Sequence, residues 1–201
     1  MAQHHIFLAL SSPSAGREVD FHIWYDAHHL QDVVDFCPGF ERGQRYWAAA
    51  EQPGGEPLSW PSLAVYELEG DDVAQLHRDV KTNIDRFTPS DGVFEDGHVA
   101  WVYSPGDFDG ISASGDKTML MLAFGNERPV DTGLEASWIL ERHADQREGN
   151  TPPWRYLRVA RLPEDSAAAR ARAYMGTGHA EAVWLYQAKG ARVVARRPAG
   201  V

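Results

Sequence analysis

The chain has 201 residues, 43% of them hydrophobic and 24% charged, which is typical of a globular protein rather than a disordered one. Its single cysteine, Cys37, excludes an intramolecular disulfide framework and any metal site made of cysteines alone. The net charge of −10 argues against nonspecific binding to nucleic acid, and no apolar run reaches the roughly 18 residues of a membrane span. We therefore expect no nucleic-acid partner, no membrane partner and a cytoplasmic location.

The charge is unevenly distributed along the chain. Residues 1–110 contain 6 Lys+Arg and 19 Asp+Glu, a net charge of −13, whereas residues 111–201 contain 13 and 10, a net charge of +3. Ser104–Asp116 lies between them and is rich in Gly, Ser, Asp and Pro, which is typical of a linker. The predicted organisation is a first domain at 1–106, a linker at 107–116 and a second domain at 117–201.

The first domain alternates between strand and helix patterns. From Arg17 to Phe36 apolar residues recur at steps of three and four, which predicts a helix that Pro38-Gly39 ends. Asp71-Asp72 precedes a second helical pattern. Apolar runs bounded by turn residues predict the strands, which are His5–Leu10, Phe40–Ala49, Ser62–Glu69 and about His98–Tyr103. The order β-α-β-β-α-β is that of the ferredoxin-like motif.

The same residues carry a family resemblance. The helix segment from Asp20 to Leu30 (DFHIWYDAHHL), followed by Pro38-Gly39-Phe40, Arg45-Tyr46 and LAVYELEG, resembles the EthD-like branch of the dimeric α/β-barrel superfamily. Gln31 departs from the pattern, because proline is usual there. The resemblance implies a fold more than a reaction, since the superfamily includes cyclases, isomerases, cofactor-free monooxygenases and haem enzymes.

The second domain repeats parts of the first. Four blocks recur in order, with Trp138 to His143 keeping the spacing of Trp24 to His29; they are Thr118–Phe124, Trp138–His143, Trp154–Tyr156 and Ala182–Gly190. Asp165–Tyr174 looks like an inserted helix, near 165–174. Too few residues follow Gly190 for a helix and a strand, so the copy is expected to lack its second helix.

The predicted fold class is α+β, with two ferredoxin-like βαββαβ repeats whose antiparallel sheets pair as a dimeric α/β-barrel within one chain. Such a chain would be a monomeric pseudo-dimer. The alternative is that the halves are only neighbours and that each pairs with another chain in a homodimer.

Four residues are the candidate catalytic set. His29 falls on the family's helix histidine, and imidazole exchanges protons near neutral pH. Asp26 lies three residues earlier on the same helical face, where it could orient His29 or hold it protonated. Arg45 could bind a carboxylate or enolate, and Tyr46 could donate to an oxyanion. The alternatives are a helix-anchoring network for His29 and Asp26, and an ion pair of Arg45 with Asp26 or Glu67.

A further set of aromatic residues could contact an apolar substrate. It comprises Trp24, Tyr25, Trp47, Tyr66, Trp101 and His5. Core packing is the more frequent role of such tryptophans and tyrosines. A disordered N-terminal pair, His4-His5, is the alternative for His5.

We expect no metal and no cofactor. The spacing of His22, His28 and His29 does not suit one ion, and no zinc-binding or nucleotide-binding motif is present. Haem is the alternative, with the histidines and methionines as its possible axial ligands.

The leading functional hypothesis is a cofactor-independent enzyme of small-molecule metabolism acting on a hydrophobic, aromatic or polyketide-like substrate. Proton transfer by His29 would give cyclisation, isomerisation or elimination. The alternatives are a cofactor-free monooxygenase acting on a phenol and a noncatalytic protein that holds an apolar ligand.

Overall fold

The computed structural model describes residues 3–104, 118–130, 134, 137–146 and 150–196. The strands are β1 (His4–Ser11), β2 (Phe40–Ala48), β3 (Ser62–Glu69), β4 (Val99–Ser104), β5 (Thr118–Gly125), β6 (Ser137–Arg142), β7 (Tyr156–Pro163) and β8 (Ala182–Val194). The α-helices are α1 (Glu18–Trp24), α2 (Leu30–Phe36), α3 (Val73–Thr82) and α4 (Ala167–Gly176). A π-helical turn, Tyr25–His29, joins α1 to α2 without a break, and a 3₁₀ turn, Ile84–Arg86, follows α3.

The eight strands form one closed antiparallel barrel in the order β1-β3-β2-β8-β5-β7-β6-β4. Two seams join the first four strands to the last four. At one seam β2 pairs with β8 from Arg42↔Val194 to Ala48↔Tyr186. At the other, β4 pairs with β6 at Tyr103↔Arg142 and Ser104↔Glu141. Closure gives both edges of each half a partner within the chain, so neither edge remains open for aggregation.

The predicted fold class of two ferredoxin-like βαββαβ repeats, paired as a dimeric α/β-barrel, is wrong. A single closed antiparallel barrel replaces two paired sheets. The last four strands have α4 between β7 and β8, but the described residues between β5 and β6 contain no helix. This half also does not lack its second helix, because α4 occupies that place and overlaps the helix predicted near 165–174.

The error arises at Trp138 to His143, where a helix was expected from the spacing of Trp24 to His29. These residues instead form β6 and the position after it. Trp138 and Leu140 both pack into the barrel interior, which is the period of two that a strand requires. The predicted linker at 107–116 lies outside the described residues, and the domain boundaries remain a prediction.

Alternation along the strands produces two kinds of core. In β1, Ile6, Leu8 and Leu10 fill the barrel interior. Phe7, between them in sequence, faces outward and belongs to the layer beneath α1, α2 and α3. A third, smaller layer lies between α4 and the second half of the barrel, with Ala167 and Ala171 at its centre. The chain therefore offers two environments for a site, the barrel interior and the layer between helices and barrel.

Tryptophans concentrate in one part of the barrel interior. The rings of Trp101 and Trp184 are stacked with centroids 6.4 Å apart, and Trp60 and Trp154 meet them edge-on; Phe124 completes the cluster. Aromatic rings prefer such offset and edge-to-face arrangements, so this cluster fills the interior without a ring sandwich.

Gly39, in the turn between α2 and β2, tests the packing of the layer beneath α1, α2 and α3. It has φ +85, and a Cβ there would lie 2.4 Å from Leu76 Cδ2 and 3.0 Å from the Glu69 carbonyl oxygen. Gly16 has φ +76 but nothing within 4 Å. Gly16→Ala should therefore cost about 1 kcal/mol of backbone strain, and Gly39→Ala about 2–4 kcal/mol because overpacking adds to the strain.

Urea denaturation of the two alanine variants measures this difference. Equal losses of unfolding free energy would contradict the close packing of Gly39 against α3.

Candidate functional site

The segment that carries the family-like motif is an irregular helix. Trp24 ends α1, and Tyr25 to His29 form the π-helical turn, closed by the bond from the Leu30 N–H to the Tyr25 carbonyl. A π turn adds a residue to the helical repeat and so changes which side chains face the barrel. Such turns are frequent at functional sites, and this one contains both Asp26 and His29.

A fully buried arginine lies beneath this turn. Arg45, on β2, has no accessible surface, and its Nη1 donates to Asp26 Oδ1 at 2.7 Å. Its Nη2 lies 3.0 Å from His22 Nδ1 and 3.4 Å from Ser62 Oγ. Because a guanidinium can only donate, His22 Nδ1 accepts this bond and the proton of neutral His22 is on Nε2.

Aromatic rings complete the surroundings of this cation. The guanidinium carbon lies 4.6 Å from the Tyr25 ring centroid and 5.2 Å from that of Phe21. Cation–π attraction of this kind offsets part of the cost of burying a charge. Arg45 has no accessible surface, and the groups that it holds are Asp26 and His22.

Strand β8 approaches the same group of residues from the second half of the chain. Gly190 has φ +71, and a Cβ there would lie 3.6 Å from Asp26 Oδ1. Burial, followed by the charges of Arg45 and Lys189, holds the pKa of His22 below its usual value. His22, Asp26 and Arg45 therefore lie at the seam between β2 and β8.

His29 occupies a separate, aromatic environment in the same layer. Its ring is stacked on Trp24 with centroids 4.3 Å apart, and it meets Tyr25 at 5.0 Å and Phe87 at 5.7 Å. Burial lowers the pKa of His29 to about 4, although the nearby Asp32 carboxylate opposes the effect. His29 is consequently neutral at pH 7. Its buried Nδ1 has no hydrogen-bond partner among the residues that the structure describes.

Two tyrosines lie between these groups. Tyr25 contacts both Arg45 and His29, and Tyr66 lies on β3 next to it. Burial raises the pKa of Tyr25 and raises that of Tyr66 further, with Tyr25 adding to the shift at Tyr66. Both hydroxyls therefore stay protonated at neutral pH and can act as hydrogen-bond donors.

The other predicted site residues are divided between this layer and the rest of the molecule. Trp24 stacks on His29, and Trp47 lies 4.6 Å from the His22 ring. Tyr46 and Trp101 instead face the barrel interior. Burial raises the pKa of Tyr46, which keeps its hydroxyl protonated.

His5 lies on β1 near the β4–β6 seam, away from the Arg45 pair. Its Nδ1 is 2.9 Å from Ser104 Oγ, and its Nε2 is 2.9 Å from the Gly70 carbonyl. With both ring nitrogens engaged and only 1% of its surface exposed, it is an ordered part of the fold.

The structure shows one of the two ion pairs considered for Arg45, the one with Asp26. Its carboxylate binds Arg45, whereas His29 stacks on Trp24. His22 was not among the predicted site residues, although its position four residues before Asp26 places both on one helical face. Nothing in the sequence pattern connects Lys189 or Gly190 to this helix, because only barrel closure brings β8 beside β2.

Two further features concern metals and membranes. Within the described ranges, no three His, Cys, Asp or Glu side chains lie close enough together to hold a metal ion. No helix in those ranges is long and apolar enough to cross a membrane.

Comparison with known proteins gives a structural match but no sequence match. No model of a protein family matches the chain, and no curated protein sequence matches it either. A solved structure described as "Crystal structure study of anthrone oxidase-like protein" is similar, with a TM-score of 0.60. The match covers 99% of this chain and 97% of that chain at 9% sequence identity. The two proteins therefore share a fold, and the EthD-like resemblance and its tandem repeat remain predictions.

The Arg45–Asp26 pair can be tested through stability. Asp26→Asn leaves a fully buried guanidinium without its counter-charge, which should cost about 2–3 kcal/mol. This expected loss is slightly smaller than for a completely buried pair, because the Asp26 side chain is 36% exposed. Glu141→Gln is the matched control. Both side chains of the Glu141–Arg155 pair are exposed, so this pair should contribute less than about 1 kcal/mol.

Denaturant unfolding at pH 7 gives both values. Equally small losses for the two variants would contradict the assignment of Asp26 as the counter-charge of Arg45.

Proposed function

We propose that this chain is a cofactor-independent enzyme that moves a proton on an acidic carbonyl or phenolic small molecule, with His29 as the proton acceptor. The observation that carries the proposal is the neutral His29 ring, whose buried Nδ1 has no partner in the described part of the chain. Buried polar atoms are nearly always hydrogen-bonded, so a buried nitrogen without a partner is a candidate for binding a ligand. A substrate O–H or acidic C–H would occupy it.

The low pKa of His29 limits the class of substrate. A base with a pKa of about 4 that removes a proton from a phenol of pKa about 10 works uphill by about 8 kcal/mol. Turnover at about 10 per second allows a barrier of about 16 kcal/mol, so this transfer is accessible. A difference in pKa between substrate and His29 that is twice as large would require the whole of this barrier. Phenols and carbons between two activating groups therefore fit, whereas simple ketones do not.

The tyrosines supply the complementary group. When the proton leaves, its bonding pair moves toward the carbonyl oxygen, which becomes negative and needs donors. The protonated hydroxyls of Tyr25 and Tyr66 lie in the same layer as His29, and the Arg45 charge lies beneath Tyr25. Arg45 and Asp26 are positioning residues here. They hold the π-helical turn that carries Tyr25 and His29 against the sheet.

The fate of the resulting enolate determines the reaction. Return of the proton to another carbon is isomerisation, attack of the enolate carbon on a second carbonyl is cyclisation, and departure of a β-substituent is elimination. All three begin with the same transfer to His29, and none requires an oxidant.

A cofactor-free monooxygenase is the second candidate, and the fold shared with a protein described as anthrone oxidase-like favours it. Here the enolate or phenolate reacts with O₂. A substrate CH₂ becomes C=O, one oxygen atom enters the product and the other leaves as water. The substrate loses four electrons and O₂ gains them, so no further reductant is needed.

One pair of variants tests the role of His29. His29→Gln removes the proton acceptor, and His28→Gln changes its exposed neighbour on the same π turn. Anaerobic D₂O exchange at the acidic carbon of anthrone and of aryl 1,3-diketones is followed by NMR above the buffer rate. We expect wild type and His28→Gln to exchange alike and His29→Gln to fall at least 100-fold, as for loss of a general base. Wild-type exchange should stay constant above about pH 5 and decline near pH 4, where His29 gains its own proton.

The same samples under air separate the candidates. O₂ uptake with ketone formation favours the monooxygenase, and exchange without O₂ uptake favours isomerisation, cyclisation or elimination. Binding without exchange in the wild type would contradict both enzymes and favour a ligand-holding protein. Full exchange by folded His29→Gln would remove His29 from the mechanism.

A further inference from the structure

A cavity of about 300 Å³ opens on the surface beside β8, in a different part of the fold from the Arg45 pair. Its volume is at the lower end of the range for small-molecule sites. Apolar side chains form most of its wall, and the largest of them are Pro57, Leu58, Trp60, Met175, Trp184 and Tyr186.

Two indole rings dominate this wall. The centroids of Trp60 and Trp184 are 6.1 Å apart at 62°, and both rings are half-buried at the edge of the barrel's tryptophan cluster. Trp60 Nε1 donates to the Gly97 carbonyl at 3.1 Å, so this N–H is already used. What Trp60 offers to a ligand is therefore its ring. The ring faces of indoles attract cations more strongly than those of phenol or benzene.

The charged groups at this cavity are of one sign. Glu56 and Glu181 line it, and no lysine, arginine or histidine is among the described residues that do. Glu181 is oriented, because its Oε1 accepts bonds of 3.0 Å from both the backbone and the side-chain nitrogen of Asn126. Carboxylates at the opening favour a cationic ligand and disfavour an anionic one.

The wall is held in place by a buried glutamine. Gln52 Nε2 donates to the carbonyls of Ala49 and Leu185 at 2.9 and 2.8 Å, and its Oε1 accepts from the Leu185 N–H at 3.0 Å. These bonds fix the segment between β2 and β3 to β8. They also leave no free polar group on Gln52 for a ligand. The cavity is thus preformed, which reduces the ordering cost of binding.

We propose that this cavity binds an organic ammonium ion, a primary or alkylated amine attached to an apolar or aromatic group. The apolar group fills the space between Leu58, Met175 and the indoles, and the cation lies against the rings of Trp60 or Trp184 with Glu56 and Glu181 nearby. This ligand class is distinct from the phenols and acidic carbonyl compounds assigned to His29, and the proposal does not depend on that function.

Three probes that share a phenylethyl group test the charge requirement: 2-phenylethylammonium, 2-phenylethanol and 3-phenylpropanoate. Isothermal calorimetry and shifts of the tryptophan indole N–H signals in NMR measure their affinities at low and high salt. We expect the ammonium to bind at least tenfold more tightly than the alcohol, and the carboxylate to bind most weakly. Added salt should weaken the ammonium complex and leave the alcohol unchanged.

Matched variants assign the effect to the cavity. Glu56→Gln/Glu181→Gln should reduce ammonium affinity about five- to tenfold without changing alcohol affinity, whereas Glu95→Gln, an exposed carboxylate outside the cavity, should change neither. Trp184→Leu should reduce ammonium affinity about tenfold, and the indole shifts in wild type should identify Trp60 and Trp184.

Three results would overturn the proposal. The first is equal affinity for the ammonium and the alcohol, and the second is unchanged ammonium binding in the double glutamine variant. The third is no detectable binding of the ammonium to the wild type at about 10 mM ligand. His29→Gln should bind the ammonium as the wild type does, so failure here leaves the proton-transfer function untouched.

Discussion

The buried guanidinium of Arg45 is the constraint on which the outer layer depends. A cation without accessible surface needs a counter-charge and hydrogen-bond acceptors inside the fold, since an unpaired buried charge costs several kcal/mol. Asp26 and His22 meet this need from one helix, and β8 closes over the same place at Gly190. One side chain thereby connects the motif helix, the first half of the barrel and the second half.

The helix is irregular where it meets this guanidinium. His22 and Asp26, one turn apart, both contact Arg45, while His29 stacks on Trp24 within the aromatic layer. The π turn from Tyr25 to His29 contains both Asp26 and His29, so it contributes to both sets of contacts. The same turn holds a neutral imidazole in an apolar layer, and its buried Nδ1 has no partner in the described part of the chain.

Much of the first half could be predicted because its patterns are local. The run His5–Leu10 corresponds to β1, and the helix that Pro38-Gly39 ends corresponds to α1, the π turn and α2. The sequence offers both Asp26 and Glu67 as partners of Arg45 and could not decide between them, because the choice depends on strand register. Arg45 faces the outer layer and pairs with Asp26, whereas Glu67 binds Arg42 and Arg192. The error at β6 has the same origin: a spacing copied from a helix gave no information about the face that Trp138 and Leu140 cover.

The proposed function requires His29 to be a neutral imidazole at physiological pH. NMR titration of the His29 ring carbons tests it most directly, with His29→Gln used to assign the signals. The chemical shifts should stay constant from pH 7.5 to about 5 and move only near pH 4. A His29 titration between pH 6 and 7 would contradict it, because an imidazole that protonates there is not the buried, desolvated base that the structure describes.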